Sequence, residues 1–300
     1  TLNQGLGGRL SLPLPQLAAV SSTFSLGVDY KQFQQVSCNT NNFNFIEYRT
    51  NNSGQTVVIK TNSPSPQPTR YTALAYLPFN VGLNSSIPDA LGTTFFNSQV
   101  NFNLAGGLSD DADFGKTAYT TNARAGYVTL LMGADRLQIL YKDWSVKLHA
   151  DGQWANGPLI SNEQYAMGGM AGVRGYQDGQ SYGDTGWRFS IEPQTPLYKI
   201  GMVGNEGHLE PCWVRASVFL DYGQVFLLNG AYSLKELDVL VPQSWYVAHA
   251  TQLDYCGTGF GFTANIGSHL DGRVTVAWPL ISHAGESDGV HLYFGVGAQF

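Results

Sequence analysis

The chain has 300 residues, a formal net charge of -6 and only 13% charged residues, against about 25% in soluble domains. The negative balance argues against nonspecific nucleic-acid binding, and no apolar run approaches the roughly 18 residues of a membrane-spanning helix. Glycine (35), tyrosine (16), phenylalanine (16) and tryptophan (6) are plentiful, which suits a membrane β-barrel and also a soluble all-β protein.

Period-two alternation runs through most of the chain. Leu6 to Leu14 alternates and stops at Pro13 and Pro15. Ser22 to Phe33 alternates again. Residues 34–69 are polar and rich in Asn, and read as one long extracellular loop with a hairpin (FNFIEYR and TVVIK) inside it. Tyr71 to Leu83 and Phe96 to Leu104 follow. The second of these sets Phe96, Val100, Phe102 and Leu104 against Asn97, Gln99, Asn101 and Asn103. Apolar residues on one face and amides on the other suit a water-filled barrel bathed in lipid; a soluble sandwich would place charges outside.

Ala123 to Leu140 reads as one long strand, joined by YKDW to Ser145–Trp154, which puts Lys147, His149, Asp151 and Gln153 on one face. A glycine-rich loop over 156–186 comes next. Trp187 to Glu192 then points Arg188, Ser190 and Glu192 inward, and Trp213 to Phe226 points Arg215, Ser217, Phe219 and Asp221 inward. In the long loop after Phe226, SLKELDVLVPQ predicts a short helix. Asp254–Ile266, Arg273–Ile281 and Val290–Phe300 complete eleven spanning strands, separated alternately by short and long links. Short turns on one rim and long loops on the other are the outer-membrane pattern. An odd count does not close an antiparallel barrel, an open edge in lipid is costly, and the first residues already read as strand. An N-terminus cut from something longer is therefore expected.

Cys38, Cys212 and Cys256 are distant and odd in number. Cys212 and Cys256 fall near opposite rims and are not expected to pair. No Cys/His cluster suggests a metal, and none of the six histidines stands in a ligand pattern. Ser145 and His149 share one strand face, the one hint of a barrel hydrolase. No cofactor and no catalysis are expected.

The residues that carry chemistry lie in GQWANGPLISNEQYAMGGMAGVRGYQDGQSYGDTGW. Here Arg174 sits among glycines, and Glu192 and Asp221 (in FLDYG) supply inward carboxylates that an arginine fork can grip. GQWA, the Glu163-Gln164 pair before GG, VRGY at Val173, Arg174, Gly175 and Tyr176, GDTGW, FLDYG and LDGRVTVAWPL closely resemble the two-partner secretion transporters (TpsB), the haemolysin secretion/activation proteins of ShlB/FhaC/HecB type. The similarity spans about Tyr71 to Phe300.

That resemblance implies the C-terminal part of a sixteen-stranded antiparallel transmembrane β-barrel in the bacterial outer membrane. The family barrel follows periplasmic polypeptide-transport-associated (POTRA) domains, which are absent from this chain. It further implies that the 156–186 loop folds into the lumen, with Arg174 meeting Asp221, and Glu192 a second partner by its parity. Lys147, Arg188 and Arg215 would line the pore. The implied function is export of a large unfolded exoprotein, the partner protein of the system. A barrel-assembly insertase shares the loop motif and is the alternative; a plain diffusion porin would not need VRGY.

Overall fold

The computed structural model describes residues 2–37, 40–50, 56–66, 70–117, 123–205, 208–228, 232–234, 248–267, 270–282 and 289–298. The chain opens with β1 (Leu2–Pro13) and β2 (Ser21–Ser37), paired from Leu2↔Gln34 to Pro13↔Thr23. The FNFIEYR and TVVIK segments lie in β3 (Thr40–Thr50) and β4 (Thr56–Pro66), a hairpin separate from the main sheet. β5 (Arg70–Tyr76) and β6 (Pro78–Asp89) return along β2, and β7 (Gly92–Asn103), helix α1 (Asp111–Thr117), β8 (Val128–Ile139) and β9 (Ser145–Ala155) follow. Short strands β10 (Tyr165–Met167) and β11 (Ser181–Gly183) pair within the glycine-rich loop. Then come β12 (Thr185–Gln194), β13 (Tyr198–Asn205), β14 (His208–Phe226), the pair β15 (Tyr232–Leu234) and β16 (Ala248–Ala250), β17 (Gln252–Ile266), β18 (Leu270–Pro279) and β19 (His291–Ala298).

One antiparallel sheet of thirteen strands dominates. With β5 and β13 off its main path, eleven remain, in the order β1-β2-β6-β7-β8-β9-β12-β14-β17-β18-β19. These are the eleven spanning strands of the sequence reading, each next to its neighbour in the chain. Among the described residues β1 and β19 do not pair with each other.

The strands have one polar and one apolar face, as alternation dictates. In β14, Val218 and Leu220 are 57% and 45% exposed, whereas Phe219 and Asp221 are 3% and 2% exposed. Large apolar side chains facing out and polar ones facing in is the barrel arrangement, inverted from that of a soluble protein. The sheet also curls. A flat sheet of eleven strands would hold its edges roughly 48 Å apart. Yet the 156–186 loop touches Asn3 of β1 through Asn162 and Tyr293 of β19 through Tyr176, and the thirteen residues between those two are bent at Gly168, Gly169 and Gly175, so they span less than a straight strand would. The loop lies on the inner face, and the sheet wraps around it.

Several expected boundaries move. The strand expected over Ala123–Leu140 starts at Val128. Ala123, Ala125 and Tyr127 do alternate in burial, but they pack in a cluster with Leu74, Tyr76, Phe114, Leu159 and Ile160. Their period-two pattern comes from contact with α1 and the loop; pairing with β7 reaches only as far as Tyr127, whose carbonyl accepts from Asn103 N–H at 3.1 Å. The segment Tyr71–Leu83 is broken at Leu77, whose N–H turns to the Asn103 side chain at 3.1 Å. β13 was not anticipated: it is short, shifted in register between Lys199 and Gly201, and lengthens β14 to nineteen residues. In the SLKELDVLVPQ segment, Ser233 and Leu234 are strand; the rest, like Cys38 and Phe300, lies outside the described residues.

Candidate functional site: an arginine-bearing loop on the inner wall

Gly168 and Gly169 both have positive φ (93° and 87°), a conformation that L side chains rarely adopt. They turn the chain after β10 so that Val173 to Tyr176 runs against β12, β14 and β17. Gly175 is needed twice over. Its φ is 97°, and a Cβ there would come within 2.6 Å of the Trp278 backbone. On the wall, Gly257 is the counterpart: a Cβ there would overlap the carbonyl oxygen of Arg174.

This close approach buries Arg174. Its Nε donates to Asp221 Oδ2 at 2.7 Å and its Nη2 to Asp221 Oδ1 at 2.8 Å, a two-pronged grip, while its backbone N–H reaches Oδ2 at 3.1 Å. Its Nη1 donates to Glu192 Oε2 at 2.7 Å, and Nη2 also meets the Ser190 hydroxyl at 3.1 Å. The guanidinium lies over the Phe219 ring, 3.5 Å from its centroid, where the π face adds attraction for the cation. Every nitrogen of the fork thus has an acceptor, the condition under which a buried charge is tolerable.

Val173 and Tyr176 hold the loop on either side. Val173 is buried with Met167, Val225, Leu253 and Tyr255. The Tyr176 ring meets Tyr255 edge-on, with centroids 4.9 Å apart. Its hydroxyl accepts from the backbone N–H groups of Cys256 (3.2 Å) and Ile281 (3.3 Å) and lies 2.8 and 2.7 Å from their carbonyl oxygens. It thereby closes the end of the β17–β18 ladder. Tyr293 reaches over from β19, accepting from Gly175 N–H and donating to Tyr176 O.

The loop has a second foot on the N-terminal strands. Glu163 Oε1 accepts from Lys31 at 2.7 Å and from Tyr76 at 2.5 Å. Between the two feet, the buried Asp184 carboxylate takes N–H groups from Leu159 and Leu228, each at 2.8 Å, and Nε2 of Gln164 at 3.0 Å. Gln153 donates to the carbonyls of Glu163 and Asp184. GQWA, the Glu163-Gln164 pair and GDTGW are therefore the scaffolding that shapes the loop.

Of the other residues marked in the sequence, Arg188 pairs with Asp151, which also accepts from Tyr165 of the loop. Arg215 donates to Gln194 at 3.2 Å. Lys147 sits across from Glu192 in register. Ser145 and His149 do not meet: Ser145 faces Gln194, and His149 is held between Asp135 and Asp151 at 2.6 Å each. At four strand positions apart, roughly 13 Å, they form no hydrolase pair. Cys212 and Cys256 are free thiols. Sequence reasoning missed Phe219 as a stacking surface, Asp184 as the loop's clasp, and Arg273, whose Nη2 lies 3.4 Å from Glu192. Inward parity was the signal for Phe219; the other two depend on distant pairing.

Comparison with known proteins bears on the family and the fold. The model of the haemolysin secretion/activation protein family ShlB/FhaC/HecB matches residues 72–240, more than half of the chain. The heme/hemopexin transporter protein HuxB from two strains of Haemophilus influenzae is 25% identical (strain 86-028NP) and 30% identical (strain ATCC 51907 / DSM 11121 / KW20 / Rd) over 200 residues, covering 66% of this chain. The chain spans 31% of the length of either relative. Among solved structures, CdiB from Escherichia coli superposes with a TM-score of 0.60 at 16% identity, covering 99% of this chain and 45% of that one. BamA from Haemophilus ducreyi, lacking POTRA domains 1–3, gives 0.56 at 11%, covering 98% and 54%. These structures share the fold, that of an outer-membrane β-barrel of Gram-negative bacteria, and the polar inner and apolar outer faces place this chain in the same membrane. The chain belongs to the haemolysin secretion/activation protein family of two-partner secretion transporters.

Proposed function

We propose that this chain is the pore-forming part of an outer-membrane transporter that exports one large, unfolded exoprotein of haemolysin or adhesin type. The observation that carries the reading is the loop on the inner wall, clamped by Arg174 to Asp221 and Glu192. A diffusion pore needs no such plug, whereas a protein exporter must stay tight between substrates and then pass a chain. The pore would offer a polar path along the inner faces of β6 and β7, where Asn80, Asn97, Gln99 and Asn101 alternate inward. Lys147, Arg188 and Arg215 would line it on the far side. The exoprotein is the partner, POTRA domains of the same polypeptide would deliver it from the periplasm, and folding outside the cell would draw it through. No covalent step is implied. The loop motif also suits an insertase of the barrel-assembly kind, and the loop scaffold formed by Gln153, Glu163, Gln164 and Asp184 favours secretion.

Arg174→Ala tests the reading. Even part of the roughly 3–5 kcal/mol that a broken buried pair costs would shift the loop's populations more than about tenfold. The variant is expected to assemble in the outer membrane, to conduct more in planar bilayers, and to export its cognate exoprotein poorly. Wild-type conductance together with wild-type export overturns the reading.

A further inference from the structure

The two carboxylates that clamp the loop are not equivalent. Asp221 is held by Arg174 and by the neutral hydroxyl of Ser190. Among the described residues it has no second ion pair. Glu192 has other cations around it. Its Oε2, which accepts Arg174 Nη1 at 2.7 Å, also faces Arg273 Nη2 at 3.4 Å. Arg273 stands on the wall strand β18, so it stays when the loop goes. Its side chain is about a third exposed and has room to close the last few tenths of an ångström to an ordinary charge-assisted bond of about 2.8 Å. Lys147 lies across from Glu192 in the β9–β12 register. Gln194 fills Oε1 at 3.1 Å and ties Arg215 to the same group.

We propose that Arg273, backed by Lys147, is a standby partner that takes over Glu192 when Arg174 leaves. A carboxylate stranded in a buried site is expensive, and a waiting cation removes that expense from the open state. In the closed state the two arginines crowd one oxygen, and like charges at short range repel. Both effects make the clamp reversible: Asp221 gives the loop its address, and Glu192 is handed from loop to wall. Arg273 is thus a positioning residue for the movement of the loop. The functional consequence rests on the proposed plug, and the exchange of partners does not.

The test is a double-mutant cycle on the full natural polypeptide, read as the unfolding equilibrium of the purified barrel in denaturant. Arg273→Gln alone is expected to shift that equilibrium less than about twofold, as for a partly exposed pair. In the Arg174→Ala background it is expected to shift it more than about tenfold, because Glu192 then keeps no cation within ion-pair distance among the described residues and has only Lys147 nearby. Adding Glu192→Gln should abolish the excess. Equal effects of Arg273→Gln in both backgrounds overturn the proposal, and so does failure of Arg273→Gln to assemble on its own, since a standby partner is dispensable while the loop is down. Single-channel recording gives a second readout: openings should become rarer in Arg273→Gln and return in Arg273→Lys. Wild-type opening frequency in Arg273→Gln counts against the exchange. If Arg174→Ala matches wild type in conductance and export, the plug fails, and the cycle still decides the role of Arg273.

Discussion

At the scale of single residues, the clamp is chemistry that lysine cannot copy. Arg174 donates from Nε and both terminal nitrogens to two carboxylates while its flat face rests on Phe219. A lysine offers one point charge and no plane to stack. Arg174→Lys is therefore expected to behave much more like Arg174→Ala than like wild type, with raised conductance in planar bilayers as the check. The two carboxylates should also separate. Asp221→Asn breaks the two-pronged grip and weakens the backbone bond, leaving a buried guanidinium half-paired at up to roughly 3–5 kcal/mol. Glu192→Gln removes one charge-assisted bond and keeps an acceptor, about 1.5–3 kcal/mol at most. The melting midpoint of the barrel, read from its heat-dependent gel mobility, should fall further for Asp221→Asn than for Glu192→Gln. Parity along two strands was enough to turn Arg188, Glu192, Phe219 and Asp221 inward from the sequence. Arg273 is different: it reaches Glu192 from β18, three strands away in the sheet, and no local pattern reports such a meeting.

At the scale of elements, the loop depends on the wall as much as on its own sequence. Gly257 is an ordinary residue in a run of alternating glycines, Gly257, Gly259 and Gly261, yet it is where the Arg174 backbone rests. Gly257→Ala leaves every charged partner in place and pushes the loop off the strand. It is expected to raise conductance as Arg174→Ala does, at wild-type levels of assembled barrel; an unchanged conductance would mean that the loop can find another path. Tyr176→Phe should act on the neighbouring end of the sheet, since it keeps the ring against Tyr255 and deletes the hydroxyl that serves Cys256 and Ile281. Leaving such buried groups unpaired costs about 1–3 kcal/mol. The eleven strands were legible because each alternates for six residues or more with lipid on one side and polar groups on the other. The two misses have different causes. Ala123 to Tyr127 alternates because it packs on α1 and the loop. β13 is the first arm of a local hairpin with the start of β14, closing at Asn205↔His208, and the register shift between Lys199 and Gly201 interrupts the period that would have marked it.

At the scale of the molecule, the same strand must satisfy two solvents. Val218 faces outward in the middle of β14, and Asn97 faces inward on β7 beside a cavity of about 530 Å³ that is lined by Ser86, Asn84, Asp135 and His149. If the outer face meets hydrocarbon and the inner face meets water, one added charge has opposite consequences at the two positions. Val218→Lys places an ammonium against lipid near the midplane, at roughly 2–4 kcal/mol. The fraction of protein that assembles in the outer membrane should drop sharply. Asn97→Lys places the same group in a wet vestibule near Asp135 and should leave assembly unchanged. Its signature is electrical: the reversal potential under a salt gradient should move toward anion preference. A soluble sheet of this topology would invert the outcome, with the lysine at Val218 tolerated at a surface and the one at Asn97 damaging a core. The pair of variants therefore weighs the whole architecture by two substitutions that never touch the loop.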